Sequence, residues 1–435
     1  MAKKTTRRDF LKTSTAVAVG ATLGLPTIIK ASQDKGKPRF AVIGAGGRGG
    51  SNLASAAQTG IVVAVAEVDL NTRIEVMKNH RDAASFEDYR TMLDAMHREV
   101  DGVVISTPDH HHAPAAAMAM RYGKHVYVEK PLTRTVGEAR TLAKLARENK
   151  VHSQMGNQGT AVTSLRKVAK VVRDGTFGTV KEVHCWTDRA KGWWPQGVDR
   201  PLPVEDAPNT IDWDVWVGPA PFRRYAKGYH PFAWRGWWDF GSGALGDIGC
   251  HCINLPFMAL DLRDPIAVRA ETSGHNRDSF PVWSVVTYEF GKRGDRAPLN
   301  MYWYDGGKFP SQDLAPNVQY DSNGCLIVCS GGTVYCPGTY GEGARLVGGE
   351  AMPDTEVTVS PGHFEEFANA CVGGPKPMGN IPDYSGPLTE TTVLGNLAVW
   401  ADGSRIEWDA RNMRVKGSNE YDALVEPLYR AGWDL

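Results

Sequence analysis

The sequence predicts an α/β protein with two folded domains. The first is a Rossmann-type doubly wound parallel sheet over residues 36–155, and the second is an α+β domain with a large, open, mainly antiparallel sheet over 156–435. Strand-like and helix-like segments alternate in the first region, whereas longer strand-like runs with few helices between them follow in the second. The 435 residues, 42% hydrophobic and 23% charged, are enough for two hydrophobic cores.

The first 32 residues have the composition of an export signal. Met1 to Lys12 carry five Lys or Arg, and the apolar stretch from Ser14 to Leu25 is too short to span a bilayer. Residues 6–12, with the sequence TRRDFLK, match the twin-arginine pattern that directs folded chains to export. We therefore expect a signal peptide over 1–32, a periplasmic or otherwise exported mature protein, and no membrane span after its removal.

Charge and cysteine content exclude several classes of partner. Lys and Arg number 49, as do Asp and Glu, so neither nucleic-acid binding nor a basic membrane surface is expected, and a small-molecule partner fits better. The seven cysteines are an odd number without zinc-ribbon spacing, and no metal site is expected. Cys325 and Cys329 are predicted to be small buried hydrophobes rather than a disulfide or redox pair.

The elements of the first domain begin with a β-α-β unit. A strand over 39–43 enters the glycine turn 44–50 and a helix, and a second strand over 61–66 ends in Glu67-Val68-Asp69. The further predicted elements are a helix over 88–98, a strand over 102–106, a helix over 115–122, a strand over 125–128 and a helix over 136–149. This alternation predicts a parallel sheet with helices on both faces.

The second domain is predicted from its longer strands. These cover 180–186, 282–290, 299–304 and 326–328. The Pro-rich stretch 193–221 is predicted to be a long surface excursion, and excursions of that length within compact domains are usually functional.

The glycine turn predicts a dinucleotide site. Gly44, Gly46 and Gly49 form G-x-G-x-x-G between a strand and a helix, and Glu67 ends the next strand eighteen residues later. The glycines allow close approach to a pyrophosphate at a helix N-terminus, and Glu67 would bind the ribose hydroxyls and repel a 2′-phosphate. NAD is therefore expected over NADP. Asp69 is the alternative ribose ligand. Because Arg73 lies nearby in the sequence, NADP remains the alternative cofactor.

A histidine run follows the predicted strand 102–106. Asp109-His110-His111-His112 suggests metal binding, but consecutive side chains seldom converge on one ion. We expect His112 to contact the cofactor edge or the substrate, with a solvated loop as the alternative.

Two further segments carry acid–base chemistry. Glu129-Lys130-Pro131 lies at the carboxyl end of the strand 125–128, where open α/β sheets bind ligands, and the proline holds Lys130 extended. The glycine-rich stretch 241–251 is predicted to place Asp247 and His251 at i and i+4 on one helix face. The alternative for Lys130 is a solvated charge. The alternative for Asp247 and His251 is a carboxylate at a helix N-terminus with a packed histidine.

Together these motifs resemble the Gfo/Idh/MocA oxidoreductase family. The Rossmann motif, E-K-P near residue 130 and G-G-x-L-x-D-x-G-x-H ending at His251 all match, with Ser242 in place of the middle glycine. Thr107-Pro108 followed by His112 fits the T-P-x-x-x-H segment of the family. The Trp-rich stretches 212–221 and 234–240 resemble its exported branch.

The resemblance implies an NAD-dependent oxidoreductase that transfers a hydride between a sugar or polyol hydroxyl and the nicotinamide. Lys130 would stabilise the developing alkoxide, His251 would take the proton, and Asp247 would orient His251 or bind an adjacent hydroxyl. A homodimer or homotetramer through the open sheet is also implied. The expected cofactor contacts are Gly44, Gly46, Gly47, Arg48, Gly49, Glu67, Thr107, Pro108, His112, Glu129 and Lys130.

A carbohydrate substrate is expected from the aromatic residues near the second motif, although most of them could instead be core. The predicted substrate contacts are Asn157, Trp237, Trp238, Asp247 and His251. Aromatic faces stack on pyranose rings, and polar neighbours bind hydroxyls.

The predicted export places a constraint on how the cofactor is used. Because free NAD is scarce outside the cytoplasm, we expect a tightly bound cofactor. Such a cofactor must return to its starting oxidation state within each catalytic cycle. Either a second sugar or keto compound is reduced, or one substrate is oxidised and re-reduced, as in an NAD-dependent glycoside hydrolase that eliminates the aglycone. A non-catalytic sugar-binding module is disfavoured because Lys130, Asp247 and His251 are all present.

Overall fold

The computed structural model describes residues 36–189 and 192–435. The predicted signal peptide over 1–32 lies outside the described residues. Within the described part of the chain, no helix is both long enough and apolar enough to cross a membrane.

Six parallel strands form the first sheet, in the order β3-β2-β1-β4-β5-β6. The strands are β1 (Arg39–Ile43), β2 (Ile61–Ala66), β3 (Ala84–Phe86), β4 (Gly102–Ile105), β5 (His125–Val128) and β6 (Ser153–Met155). The helices between them are α1 (Arg48–Thr59), α2 (Leu70–Asn79), α3 (Tyr89–Met96), α4 (Asp109–Arg121) and α5 (Val136–Glu148). The order reverses between β1 and β4, which opens a crevice at the carboxyl ends of these strands.

The predicted doubly wound sheet is confirmed, and its strands are those whose apolar residues are buried. β1, β2 and β5 begin and end where the sequence predicts, because each is a short β-branched run buried on both faces. Helix α2 was not predicted, since none of its residues is buried and its apolar pattern is weak. Helix α4 begins at Asp109, six residues before the predicted start, with Pro114 inside it.

The second sheet has nine strands in the order β13-β12-β11-β7-β10-β9-β8-β14-β15. The strands are β7 (Val180–Thr187), β8 (Ala267–Thr272), β9 (Ser284–Phe290), β10 (Leu299–Tyr304), β11 (Asn323–Cys329), β12 (Gly332–Pro337), β13 (Arg345–Leu346), β14 (Ile406–Asp409) and β15 (Arg414–Val415). β10 pairs with β7 in parallel, and the other described pairs of this sheet are antiparallel. The predicted, mainly antiparallel sheet is therefore confirmed.

Helices of the second region pack this sheet against the first. They are α6 (Thr163–Arg173), α7 (Trp213–Val217), α8 (Cys250–Cys252), α9 (Asn254–Leu260), α10 (His363–Cys371), α11 (Gly386–Ala401) and α12 (Asp422–Val425). α11 lies against both α5 and β8, and one hydrophobic core runs from Ile43 of the first sheet to Trp303 of the second. The two sheets consequently share a core, which fixes their relative position.

The chain after β7 makes a long excursion, residues 188–189 and 192–240 of the described chain, which includes the predicted 193–221. It folds onto the first sheet through its own aromatic cluster. That cluster contains Trp213, Trp216, Val217, Ala220, Ala226, Tyr229, Trp234, Trp237 and Phe240. Asp69 forms a bridge with Ile211, and the Leu70 N–H donates to the Thr210 carbonyl at 2.8 Å. The excursion thus covers the carboxyl edge of the first sheet.

All seven cysteines are free, and six are buried. Cys325 and Cys329 are both buried, as predicted for small hydrophobes. Cys325 lies opposite Cys336 in the β11–β12 ladder and opposite Cys185 in the β11–β7 ladder.

Candidate active site

A cavity of about 620 Å³ opens at the crevice of the first sheet. The glycine turn after β1 lines one side, and Lys130 after β5 lines the other, together with Asp247 from the second region. The excursion covers the cavity with Val215, Trp216, His230, Pro231, Phe232 and Trp234. The cofactor and catalytic motifs of the sequence therefore meet in one space.

Two glycines of the turn are required by its geometry. Gly44 has φ 78°, and a Cβ at this position would lie 2.9 Å from the Ser106 carbonyl oxygen. A Cβ on Gly49 would lie 2.2 Å from the Gly44 carbonyl oxygen. Only glycine avoids both clashes. Glycine at these two positions lets β1, α1 and β4 pack closely, and the turn then carries no side chain that would fill the space for a ligand.

The N-terminus of α1 fits a phosphate group. Gly47 precedes the first turn with φ 52°, and no described side chain caps this end of the helix. The first turn contains no acidic residue. Exposed backbone N–H groups and the helix dipole favour an anion at such an end, which is what the pyrophosphate of a dinucleotide requires.

Glu67 lies directly against the glycine turn. Its Oε2 accepts the Ala45 N–H at 2.8 Å and the Gly46 N–H at 3.2 Å, while Oε1 accepts the Asp69 N–H at 3.0 Å. Asp69 instead caps α2 by accepting the Asn71 N–H at 2.9 Å. Both candidate ribose ligands line the cavity, Glu67 against the glycine turn and Asp69 as the cap of α2.

Glu129 and Arg48 form an ion pair beside the turn. Glu129 is 4% exposed and accepts from Arg48 Nε and from Asn52 Nδ2, each at 3.0 Å. Thr107 and Pro108 line the same cavity at the start of α4. The structure therefore brings these predicted cofactor residues to one wall.

Lys130 and Asp247 are joined across the two sheets. Lys130 Nζ donates to Asp247 Oδ1 at 2.9 Å and to the Asp247 carbonyl at 2.7 Å. Burial disfavours the Lys130 cation, but Asp247 outweighs it and raises the pKa of Lys130. Lys130 is therefore an ammonium donor at neutral pH.

Two arginines that the motifs did not indicate complete the surroundings of Asp247. Arg189 Nη1 lies 3.0 Å from Oδ2, and Arg235 Nε lies 3.3 Å from Oδ1. Burial opposes the Asp247 charge, yet Lys130, Arg235 and Arg189 hold its pKa below the usual range. Arg189 lies just past the end of β7 and Arg235 directly follows Trp234, and neither position has a sequence signature.

Asp247 and His251, predicted at i and i+4 on one helix face, belong to two different helical segments. Residues Leu245–Gly249 form a π-helical turn, so the two side chains do not stack at α-helical spacing. The structure contains no hydrogen bond between them in its described portion. The Asp247 carboxylate faces the three cations instead.

His251 lies in α8 and is 8% exposed; it is not among the residues that line the cavity, although it is close enough to Lys130 and Asp247 to feel their charges. Its Nδ1 is buried without a hydrogen-bond partner in the described structure. Burial and the nearby Lys130 lower the pKa of His251 to about 3, so the imidazole is neutral at neutral pH.

Asp109 and His111 of the histidine run line the cavity, whereas His110 and His112 do not. His112, expected at the cofactor edge, is 1% exposed, with Nδ1 2.8 Å from the Pro131 carbonyl oxygen and Nε2 2.9 Å from that of Thr107. His110 and His111 both bond the Trp216 carbonyl and so hold the excursion. Since both nitrogens of His112 are engaged, it does not reach the cavity. The described residues include no cluster of three or more potential metal ligands.

Like His251, three more of the predicted substrate contacts do not line the cavity. Trp237 donates to the Gly228 carbonyl at 2.8 Å, and Trp238 donates to the Ser279 carbonyl at 3.1 Å, so both indoles are fixed by packing. Asn157 is 1% exposed and donates to the Cys250 carbonyl at 2.8 Å, with its Oδ1 unpaired in the described structure. The tryptophans that line the cavity are Trp193, Trp216 and Trp234.

Family models match most of the described chain. Residues 38–157 match a model described as oxidoreductase family, NAD-binding Rossmann fold, and residues 160–296 match the oxidoreductase family, C-terminal alpha/beta domain. Residues 4–24 match the twin-arginine translocation pathway signal.

Comparison with curated proteins gives partial relatives. The rhizopine catabolism protein MocA of Rhizobium meliloti is 32% identical over 150 residues, 34% of this chain and 46% of that protein. A glycosyl hydrolase family 109 protein of Solibacter usitatus is 32% identical over 194 residues, 40% of this chain and 44% of that protein. The chain thus spans less than half the length of these relatives.

A solved structure has a similar fold. The WlbA dehydrogenase of Bordetella pertussis, in complex with NADH and UDP-GlcNAcA, is 18% identical and has a TM-score of 0.61. The similarity covers 86% of this chain and 99% of that one.

Proposed function

Because the chain belongs to the Gfo/Idh/MocA family of oxidoreductases, we propose that it transfers a hydride between a sugar or polyol hydroxyl and a tightly held NAD. The observation that carries this proposal is the shared cavity. The glycine turn, Glu67 and the Lys130–Asp247 pair all line it. An NAD-binding Rossmann match and dehydrogenase neighbours support the same chemistry.

The proposed cofactor residues are those of the turn and the adjacent ion pair. Gly44, Gly46, Gly47 and the α1 N-terminus would hold the pyrophosphate, and Glu67 would hold the ribose of NAD. When bound, NAD supplies the hydride acceptor. Glu67 would repel the 2′-phosphate of NADP, which supports NAD as the cofactor.

Lys130 is the proposed contact for the reacting hydroxyl. Its ammonium is fixed by Asp247 and partly exposed to the cavity, so it can donate to the substrate oxygen as the C–H hydride leaves. Donors aimed at a developing alkoxide typically contribute about 10²–10³ in rate. Asp247 keeps the Lys130 side chain pointing into the cavity.

The proton of the hydroxyl passes to His251 in this proposal. The imidazole is neutral, so one of its two ring nitrogens carries a lone pair that can accept the proton. A pKa of about 3 makes it a weak base, because general bases work best near the operating pH. The products are a keto sugar and the reduced cofactor.

The excursion supports tight retention of NAD. Val215, Trp216 and Phe232 cover the cavity opposite the glycine turn, and His110 and His111 fasten this cover through the Trp216 carbonyl. A chain exported already folded, here proposed to reach the periplasm, can carry a cofactor that does not dissociate. Retention in turn requires that each cycle return the cofactor to its starting state.

The proposal is tested on the purified mature protein. We expect nucleotide released by acid to be NAD, and glycosides added to the untreated protein to produce the absorbance of the reduced nicotinamide. His251→Ala should lower turnover with NAD content unchanged, by less than the factor of about 10²–10⁴ that is typical of a base whose pKa lies near the operating pH. A protein that binds no nucleotide even when NAD is added would contradict the cofactor proposal.

The match to a glycosyl hydrolase family 109 protein favours a second candidate. In that reaction a ring hydroxyl is oxidised, the acidified neighbouring C–H loses its proton and the aglycone leaves by elimination. Water then adds to the unsaturated keto sugar, and the hydride returns to its carbonyl. Release of aglycone while NAD stays oxidised at steady state would select this candidate. A keto sugar as the product would select the net oxidoreductase.

A further inference from the structure

The catalytic end of the cavity carries three cations around a single carboxylate. Lys130 and Arg235 contact Asp247 Oδ1, and Arg189 contacts Oδ2. One negative charge balances only one of these three. Excess buried charge is costly unless something pairs with it, so this arrangement has capacity for a further anion.

The neighbouring carboxylates do not supply the missing charge. Glu129 already pairs with Arg48 at 3.0 Å. Asp109 is 4% exposed and forms no ion pair within 4 Å in the described part of the chain, and burial raises its pKa. The excess positive charge around Asp247 therefore remains.

The two arginines are held so that they can bind a ligand. The Arg189 guanidinium carbon lies 4.3 Å from the centre of the Trp193 ring, and that of Arg235 lies 4.2 Å from the Trp234 ring and 4.4 Å from the Phe232 ring. Stacking fixes the guanidinium plane and leaves its edge free to donate. Their side chains are 28% and 20% exposed, and both line the cavity.

Donors remain on both guanidinium groups. Arg189 uses Nη1 for Asp247, whereas Arg235 uses Nε for Asp247 and Nη1 for the Phe232 carbonyl at 3.1 Å. Arg189 Nε and Nη2, and Arg235 Nη2, have no acceptor among the residues that the structure describes. A planar carboxylate matches the fork of a guanidinium better than a neutral hydroxymethyl group does.

We propose that Arg189 and Arg235 form a carboxylate-binding subsite and that the substrate is an acidic sugar, a uronic acid or uronoside. The sugar carboxylate lies between the two guanidinium edges while a ring hydroxyl meets Lys130. This inference rests on the proposed function for its chemistry and names the substrate class of the same site. The carboxylate itself takes no part in the hydride step.

The first test compares matched sugar pairs on the untreated protein. Each pair is a methyl glycoside and the corresponding methyl uronoside, in the gluco, galacto and manno series, measured by calorimetric binding and by reduction of bound NAD. We expect at least one uronoside to bind about tenfold or more tightly than its neutral partner, the range of a charge-assisted hydrogen bond. If no uronoside exceeds its neutral partner, the subsite is overturned.

Variants assign the effect to the two arginines. Arg189→Met and Arg235→Met keep much of the stacked apolar stem, and each should lower the ratio of uronoside to neutral affinity about tenfold. Arg345→Met is the matched control, since its guanidinium stacks on Tyr335 at 4.8 Å outside the cavity. A ratio unchanged in both site variants, or lowered equally in the control, would overturn the proposal.

The two proposals fail in different ways. If neutral glycosides reduce the bound NAD and uronosides neither bind nor react better, the acidic substrate is wrong and the oxidoreductase stands. If uronosides bind with arginine-dependent affinity but no sugar alters NAD or releases aglycone, the subsite stands and the proposed reaction fails.

Discussion

At the scale of single residues, the site is organised around Asp247. Its carboxylate lies between a lysine from the first sheet and two arginines from the excursion, so one side chain fixes the position of all three cations. Because the surrounding cations outweigh burial, Asp247 stays ionised at neutral pH. Its proposed role is to position Lys130.

Lys130→Met should lower turnover about 10²–10³-fold, because it removes the donor to the developing alkoxide while the stem keeps its packing. NAD content should be unchanged, since the glycine turn is untouched. Lys144→Met is the matched control, because that side chain is 72% exposed on α5. Steady-state kinetics with a reactive sugar checks both, and equal activity of the Lys130 variant and the control would remove Lys130 from the mechanism.

Substitutions of Glu67 and Asp69 are expected to have different effects, the first on cofactor preference and the second on stability. Glu67→Gln should weaken the preference for NAD over NADP, since it removes the charge that repels the 2′-phosphate. Asp69→Ala should instead cost about 1 kcal/mol of stability, because Asp69 caps α2. Nucleotide competition and urea unfolding on both variants measure these effects. A cofactor preference that follows Asp69 would reverse the assignment.

At the scale of elements, the glycine turn and the excursion shape the cavity from opposite sides. The turn brings β1, α1 and β4 close together, whereas the excursion supplies the cover through a packed aromatic cluster. Pro-rich and Trp-rich composition predicts a functional excursion. Its position over the first sheet depends on the Asp69–Ile211 bridge and on bonds from His110 and His111.

Gly49→Ala is expected to abolish NAD binding. The added Cβ would lie 2.2 Å from the Gly44 carbonyl oxygen, so the turn or α1 must move. Gly50→Ala is the control, since its Cβ lies 3.3 Å from the Ala45 carbonyl oxygen, a contact that a small shift relieves. Nucleotide content of the two purified variants is the measurement. Full NAD content in the Gly49 variant would show that this close approach does not shape the site.

Trp216→Ala should speed the release of NAD. Trp216 lines the cavity, whereas Trp213 stacks on it with ring centroids 4.5 Å apart and does not line the cavity. Trp216→Ala and Trp213→Ala should each cost about 3–5 kcal/mol of stability, since both remove a buried indole. Only the first should raise the NAD dissociation rate, measured by exchange into excess labelled NAD. Equal rates in both variants would show that the cover does not retain the cofactor.

At the scale of the whole molecule, one core joins the two sheets and acid stability depends on buried histidines. Burial lowers the pKa of His111 and of His363 to about 4, that of His251 to about 3, and that of His110 well below its usual value. These groups are neutral in the folded protein and gain a proton on unfolding below about pH 6.5.

Stability should therefore fall as the pH drops from about 6.5 toward 4. Each such histidine contributes about 1.4 kcal/mol per pH unit across that window, because the unfolded chain binds the extra proton. Asp305, whose pKa burial raises to about 6, opposes this over part of the range, but the histidines outnumber it. Urea unfolding across this window measures the slope, and His363→Gln should flatten it. Constant stability down to about pH 4 would contradict the prediction.

The assembly expected from the family, a homodimer or homotetramer through the open sheet, stays a prediction. The described chain presents its nine-stranded sheet with α11 packed against one part of it. Light scattering of the mature protein determines the oligomeric state directly.

Sequence alone determined the features that depend on local patterns. The glycine spacing after β1, the apolar runs of β2 and β5 and the position of Lys130 at a strand end follow from period, residue type and chain order, which a linear sequence records. The two sheets and the cofactor motif were predictable for that reason. Missed elements such as α2 bury too little apolar surface to show a period.

Only the tertiary structure decided which side chains meet. Arg189 and Arg235 reach Asp247 because the excursion folds back over the first sheet, and no spacing in the sequence encodes that contact. Trp237 and His112 were expected at the site, but their polar atoms are used by nearby carbonyls, which depends on packing across the chain. Contacts between residues that are distant in the chain arise from shared burial and not from adjacency in the sequence. The charges around the cavity and the side chains that line it could therefore be identified only from the folded structure.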